Sequence, residues 1–298
     1  MKASCKPPPA FHPNEPMAET ATKDFAYRFL RDIAQDLSRK DLKFPTFIDA
    51  SLGVRMALGK KDLSNAELAR VVSSEPLLCA RVVALANSVA LNPSGREVSD
   101  VKNAVMMVGQ NAVRSLAVSL AMEQISHAKE LEPFKVQARE LWEHCLEVAA
   151  LAFVIAKRRG LANPDEALFA GLVHDLGHFY LMWRATQFPE LVQQPNELRA
   201  LVHDWHPGIG SALLQSLDLP ETVSRACDEH ELAPALLPQG SLSELISLSN
   251  RCAASRANVT PPDVMAEDES DTLDEETTRA ILDEASKEVA SLIAVLKG

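Results

Sequence analysis

Residues 171–181 read GLVHDLGHFYL, and the adjacent His174–Asp175 pair is where this chain most clearly offers chemistry. An imidazole beside a carboxylate can share one divalent cation. A metal-dependent phosphohydrolase needs several such N and O donors converging on one point, with a position left open for water or substrate. On a continuous helix the two side chains project about 100° apart, so both can lean toward one ion, though two donors do not hold it. Five of the eight histidines fall between His174 and His230. His144, on the preceding helical run, meets the pair if the two helices pack antiparallel across the 160–163 turn. His206 and His230 approach from later segments.

The alternative is plain: a histidine on a helix is more often a half-buried structural residue than a ligand, and the apolar run can be core. His178 follows His174 by four residues, the spacing of zinc-binding helix pairs. Gly177 between them is expected to end or loosen the helix, and the glutamate of an H-E-x-x-H motif is missing, so that zinc pair is not expected. His203, beside Asp204, is expected to face solvent. Other chemistries lack their residues: the chain has no Gly-rich phosphate loop and no nucleophile elbow.

These donors need helices to place them, and the composition supplies helices. Ala, Val and Leu dominate, while Gly (11) and Tyr (2) are sparse, which favours an all-α fold over sheet. Phe25, Phe29, Ile33 and Leu37 recur at a spacing of four from Asp24 onward. Ser64-Asn65-Ala66-Glu67 reads as a capping box, Glu75-Pro76 and Ser99-Asp100 as further helix starts, and Gly109-Gln110-Asn111 as a turn between two helices. LWEHCLEVAALAFVIAKRR ends at Gly160, and Asn163-Pro164-Asp165-Glu166 opens the helix that carries the motif. His206-Pro207 precedes GIGSALLQSL, Leu219-Pro220-Glu221 starts a short helix ending near His230, and LSELISLSNRCAA follows.

The resulting plan is a disordered tail over 1–22, an N-terminal helical lobe over 23–132, and a second lobe over 133–256. An acidic linker over 257–276 precedes an amphipathic helix over 277–298, whose Ile281, Leu282, Val289, Leu292, Ile293 and Leu296 share a face that either docks on the body or binds a partner, docking being favoured. The net charge of −11 argues against binding a nucleic-acid backbone. Cys5, Cys79, Cys145, Cys227 and Cys252 have no paired spacing, as suits a reducing, cytoplasmic location. No secretory signal is evident. The most apolar segment, CLEVAALAFVIA (145–156), is shorter than the roughly 18 residues a bilayer span needs, so no membrane span is expected there.

In order and content these segments resemble the HDOD family of bacterial signalling proteins, relatives of the HD-superfamily metal-dependent phosphohydrolases generally regarded as non-catalytic. LKFPTF (42–47), SSEPLLCARVVALANSVAL (73–91) and VSDVKNAVMMVGQNAVRSLAVSLAM (98–122) are similar to the family's first lobe. GLVHDLGHFYL, HPGIGSALLQSLDLPETVSRACDEH and LISLSNRCA are similar to its second. The resemblance implies two packed helical lobes, the second HD-like. It also implies partners in two-component or cyclic-di-GMP pathways, such as a response regulator or a cyclic-di-GMP enzyme. It puts the superfamily's metal ligands at His144, His174 and Asp175, its last aspartate at Asn250, and the extra histidines of two-metal relatives at His206 and His230. With a neutral amide at Asn250, one anion would face a dication, so the expectation is a degenerate site and no cofactor. The alternative is an active phosphohydrolase holding a divalent metal such as Mn, Fe or Mg.

Overall fold

A computed structural model describes residues 27–36, 63–217, 219–231, 241–256 and 275–297, and every regular element in them is helical. In chain order these are α1 (27–36), α2 (Asn65–Ser74), α3 (Pro76–Ala86), α4 (Val101–Ser126), a 3₁₀ segment (Lys129–Phe134), α5 (Lys135–Arg159), α6 (Pro164–Val173), α7 (Leu176–Ala185), α8 (Pro189–Val192), α9 (Pro195–Ser216), α10 (Glu221–Glu229), α11 (Leu242–Arg256) and α12 (Glu275–Lys297). The proposed tail over 1–22, the LKFPTF stretch and most of the acidic linker lie outside the described residues.

Local chemistry sets the helix ends. Ser64 accepts from the Glu67 amide while the Glu67 carboxylate accepts from the Ser64 amide, the reciprocal capping box. Asn163 accepts from the amides of Asp165 and Glu166, and Pro164 sits at the first position of α6, where its missing N–H costs nothing. Gly160 closes α5 at φ 66°, a left-handed conformation that a side chain disfavours. Gly109, at φ 79° and ψ 167°, leaves the helical conformation inside α4 and kinks it into two helical stretches, the turn expected between two helices. Pro207 also lies inside a helix, because α9 begins at Pro195, well before His206.

α5 is the central strut. From Cys145 to Ala156 nearly every residue is buried, as expected of a helix apolar all round. α6, α11 and α12 pack on it. α4 packs on α3, α2 and α6, joining the first lobe to the second. By length and composition α4 is the one described helix that passes for a membrane span. Ala104, Val105, Val108, Val113 and Leu116 are buried in the protein core, so this helix is packed within the body. α12 starts two residues before the expected boundary, and Ala285, Val289, Leu292 and Leu296 are buried against the body. Ile293 is half-buried, while the side chains of Ile281 and Leu282 lie outside those described.

Candidate metal centre

His174 and Asp175 do not sit on a continuous helix. α6 stops at Val173 and α7 starts at Leu176, and the pair occupies the break, with Asp175 at φ −100°, ψ 19°. The break turns both side chains inward, where His174 is 1% and Asp175 5% exposed. Gly177 does not end the helix; it is inside α7 for a different reason. A Cβ there would fall 2.0 Å from the His206 carbonyl oxygen and 2.6 Å from the Gly210 amide nitrogen. Only glycine lets α7 and α9 cross this closely, and the crossing carries His206 to Asp175.

Four imidazoles surround Asp175, the one buried carboxylate among the described residues. His174 Nε2 lies 3.2 Å and His144 Nε2 3.8 Å from Asp175 Oδ2, while His206 Nε2 is 3.3 Å and His230 Nε2 3.6 Å from Oδ1. The rings are held by the main chain. His174 Nδ1 is 2.8 Å from the Gly171 oxygen, His206 Nδ1 3.0 Å from that of Val202, and His230 Nδ1 2.7 Å from that of Cys227. A carbonyl only accepts, so each Nδ1 carries the proton and, in the neutral ring, each Nε2 presents a lone pair to the carboxylate. Lone pairs then face lone pairs, and something positive has to lie among them. Nε2 of His174 is buried with no hydrogen-bond partner.

A proton meets the need in part. Burial alone would lower His230, but hydrogen bonds to Asp175 and Glu231 push it up to about 10. Asp175 is held well below the usual carboxylate range: burial opposes this, and His174, His230 and His206 outweigh it. Glu231 falls to about 2 through His230, again against burial. Burial pulls His144 and His178 down to about 4 and lowers His206, so these rings are neutral donors near pH 7.

A cation meets it as well. His144, His174 and Asp175 form one set with donor atoms all within 4.8 Å of one another; Asp175, His178 and His206 form a second, and His206, His230 and Glu231 a third. Imidazole-rich donors with few anions suit a transition metal better than Mg²⁺. The residues therefore fit a metal by donor type and by the unpartnered Nε2 of His174. The centre is deep, with an edge at the surface where the side chains of His144 (27%) and Glu231 (39%) are exposed.

The structure thus brings together His144, His174, Asp175, His206 and His230. Asn250 stands at that edge, donating through Nδ2 to Glu231 Oε1 at 3.3 Å and hydrogen-bonding His144. His203 is exposed, as expected. Two donors escaped the sequence reading. His178 is one, because α7 runs through both Gly177 and His178 and the glycine does not take the ring out of the site. Glu231, next to His230, has no spacing in the sequence that marks it as a donor.

Residues 44–233 match the family model described as HDOD domain. The chain is 25% identical to a candidate metal-dependent phosphohydrolase from Shewanella amazonensis, covering 92% of this chain and 99% of that one with a TM-score of 0.71. An HDOD domain protein of unknown function from Geobacter sulfurreducens is 23% identical over 94% of this chain and 99% of its own, with a TM-score of 0.59. A candidate signal transduction protein from Marinobacter aquaeolei is 19% identical over 94% of this chain and 66% of its own, with a TM-score of 0.55. These last two share the fold. No curated protein sequence matches the chain.

Proposed function

The chain belongs to the HDOD family, and from that premise we propose that it is a non-enzymatic bacterial signal-transduction module acting through protein–protein contacts, with a degenerate HD metal site. The observation that carries this reading is the charge of the pocket. Asp175 is the one buried carboxylate among the donors, and Asn250, where the resemblance puts the superfamily's last aspartate, offers a neutral amide that turns to Glu231 and His144. A dication there meets a single buried anion among imidazoles, one of which, His230, has to give up a proton to serve as a ligand, and this weakens its hold and its power to activate water. The family resemblance points to response regulators or cyclic-di-GMP enzymes as partners.

The donor geometry favours one rival, a metal-dependent phosphohydrolase acting on a nucleotide or cyclic dinucleotide. In it His144, His174 and Asp175 hold one ion, and His206 and His230 complete a second site. Bound metal would supply Lewis-acid polarisation and a hydroxide nucleophile. The unpartnered Nε2 of His174 and the description of the Shewanella relative support it. Elemental analysis of the purified protein, combined with assays on bis-p-nitrophenyl phosphate and cyclic dinucleotides, separates the two. Substoichiometric metal without turnover is expected. Stoichiometric metal, with turnover abolished by His174→Ala, would overturn the scaffold reading.

A further inference from the structure

Arg81 on α3 is a charged side chain only 4% exposed, and it serves a helix more than two hundred residues away. Its Nη1 donates to the Leu296 carbonyl at 2.6 Å, and Nη2 lies 3.4 Å from the Lys297 oxygen. Both are last-turn carbonyls of α12, which have no partner inside their own helix. Ser119 on α4 donates to the same Leu296 oxygen at 3.1 Å, and Glu123 accepts from Arg81 Nη2 at 2.5 Å, fixing the guanidinium from behind. The end of α12 is therefore capped by the body, and a cation at a helix C-terminus is also favoured by the helix dipole.

Among the described residues, the fully buried contacts of α12 lie on one stripe, with Ile293 and Val295 half-buried beside it. Ala285, Val289, Leu292 and Leu296, spaced four, three and four residues apart, are its buried apolar side chains on α5 and α3. Ion pairs from Arg158 to Glu288 (3.0 Å) and from Lys297 to Glu143 (2.9 Å) flank the stripe, and the Val89 amide donates to Ser291 Oγ at 3.4 Å. A stripe with a capped end is how a helix-binding groove recognises an amphipathic segment and sets its register. In sequence, residues 257–274 separate α12 from α11, so its place in the fold depends on this face and not on a short connection.

We propose that the surface of α3, α4 and α5 beneath α12 is a docking surface for an amphipathic helix, read at its end by Arg81, and that this chain's own residues 285–297 occupy it as a releasable cover. Arg81 fixes the register, because only a helix whose last turn arrives at the guanidinium satisfies it. The inference rests on the interaction reading above, but its readout is helix release and is independent of what the pocket holds.

The test uses a fluorescent, C-terminally amidated peptide of residues 275–297 added to the full chain. Wild type should show no saturable binding, because the surface is covered. The double variant Val289→Asp/Leu292→Asp, which weakens the cover and leaves the surface intact, should bind the peptide at least tenfold more tightly. Adding Arg81→Gln should then cost tenfold or more. Equal binding to wild type and a folded double variant, no binding to the latter, or indifference to Arg81→Gln would each overturn the proposal. If the double variant does not fold, hydrogen exchange on full-length Arg81→Lys decides, since lysine keeps the charge but loses the fork. Amides of 285–297 should exchange at least tenfold faster than in wild type, with α6 and α7 unchanged. Unaltered exchange in α12 overturns the idea.

Discussion

A histidine whose Nδ1 proton is given to a main-chain carbonyl has one nitrogen left to spend, and three here spend it on Asp175. In the metal-free protein the consequences for pH have opposite signs. His144 and His178, held near 4 against an ordinary 6.5, resist protons that the unfolded chain accepts, so stability falls as pH drops from 6.5 toward 4. His230, raised to about 10, gives stability that is complete below 6.5 and lost as pH climbs from there to 10. Chelator-treated protein should therefore be most stable near pH 6.5, by urea titration across the range; a plateau rising to pH 9 would contradict the assignment of His230. Asn250→Asp tests the missing charge. It should raise affinity for Mn²⁺ or Zn²⁺ about tenfold or more, because ligand charge count tunes cation affinity. It should also lower metal-free stability by about 1 kcal/mol, since the new carboxylate loses the hydrogen bond to Glu231 and faces its charge. Calorimetric titration showing unchanged affinity would mean position 250 is not where the pocket lost its grip.

At the scale of elements, what could be read in advance was what neighbours in sequence decide. Ser64 with Glu67, Asn163 before Pro164, and Gly160 after three cationic residues each set a helix end by local hydrogen bonds or backbone conformation, and each stands where the residues put it. Gly177 reads wrongly because its role is tertiary, and Pro207 because a proline is tolerated inside a helix here. α9 carries Pro207 inside its length, and α7 carries Gly177 because the backbone of α9 leaves no room for a side chain. The same contact hid His178, whose neighbour His206 comes from a different helix. Two glycines test this. Gly177→Ala forces a Cβ into backbone atoms that cannot move aside, and should destabilise by about 3 kcal/mol, the upper part of the overpacking range, while weakening metal binding. Gly208→Ala, on the same crossing helix, meets nothing nearer than Asp228 Oδ1 at 3.7 Å and should be neutral or stabilising by up to about 1 kcal/mol. Guanidinium unfolding of both decides; equal effects would show the α7–α9 approach to be looser than described.

Over the whole molecule, the two lobes visible in the sequence share a single body of packed side chains. Buried apolar residues form one cluster from Phe29 on α1 to Leu296 on α12, α4 joins the first lobe to α6, and α5 contacts partners from both. A boundary drawn at residues 132 and 133 therefore divides the sequence without dividing the core. Cooperative unfolding follows from a shared core, so differential scanning calorimetry should show one main transition for the described body. Ligand binding to the folded state sharpens the point. A metal at about a hundred times its dissociation constant adds about 2.7 kcal/mol, and at about 2–4 °C per kcal/mol for a chain of this class the transition should rise by about 5–10 °C. The rise should carry the first lobe with it, although no donor comes from α2, α3 or α4. Tryptophan emission tracks Trp142, Trp183 and Trp205 in the second lobe, so hydrogen exchange in α2 to α4 should be slowed by metal in step with that signal. Two calorimetric peaks, with only the upper one moving, would show that the lobes unfold separately and that a ligand in the HD-like pocket has no mechanical route to the surface under α12.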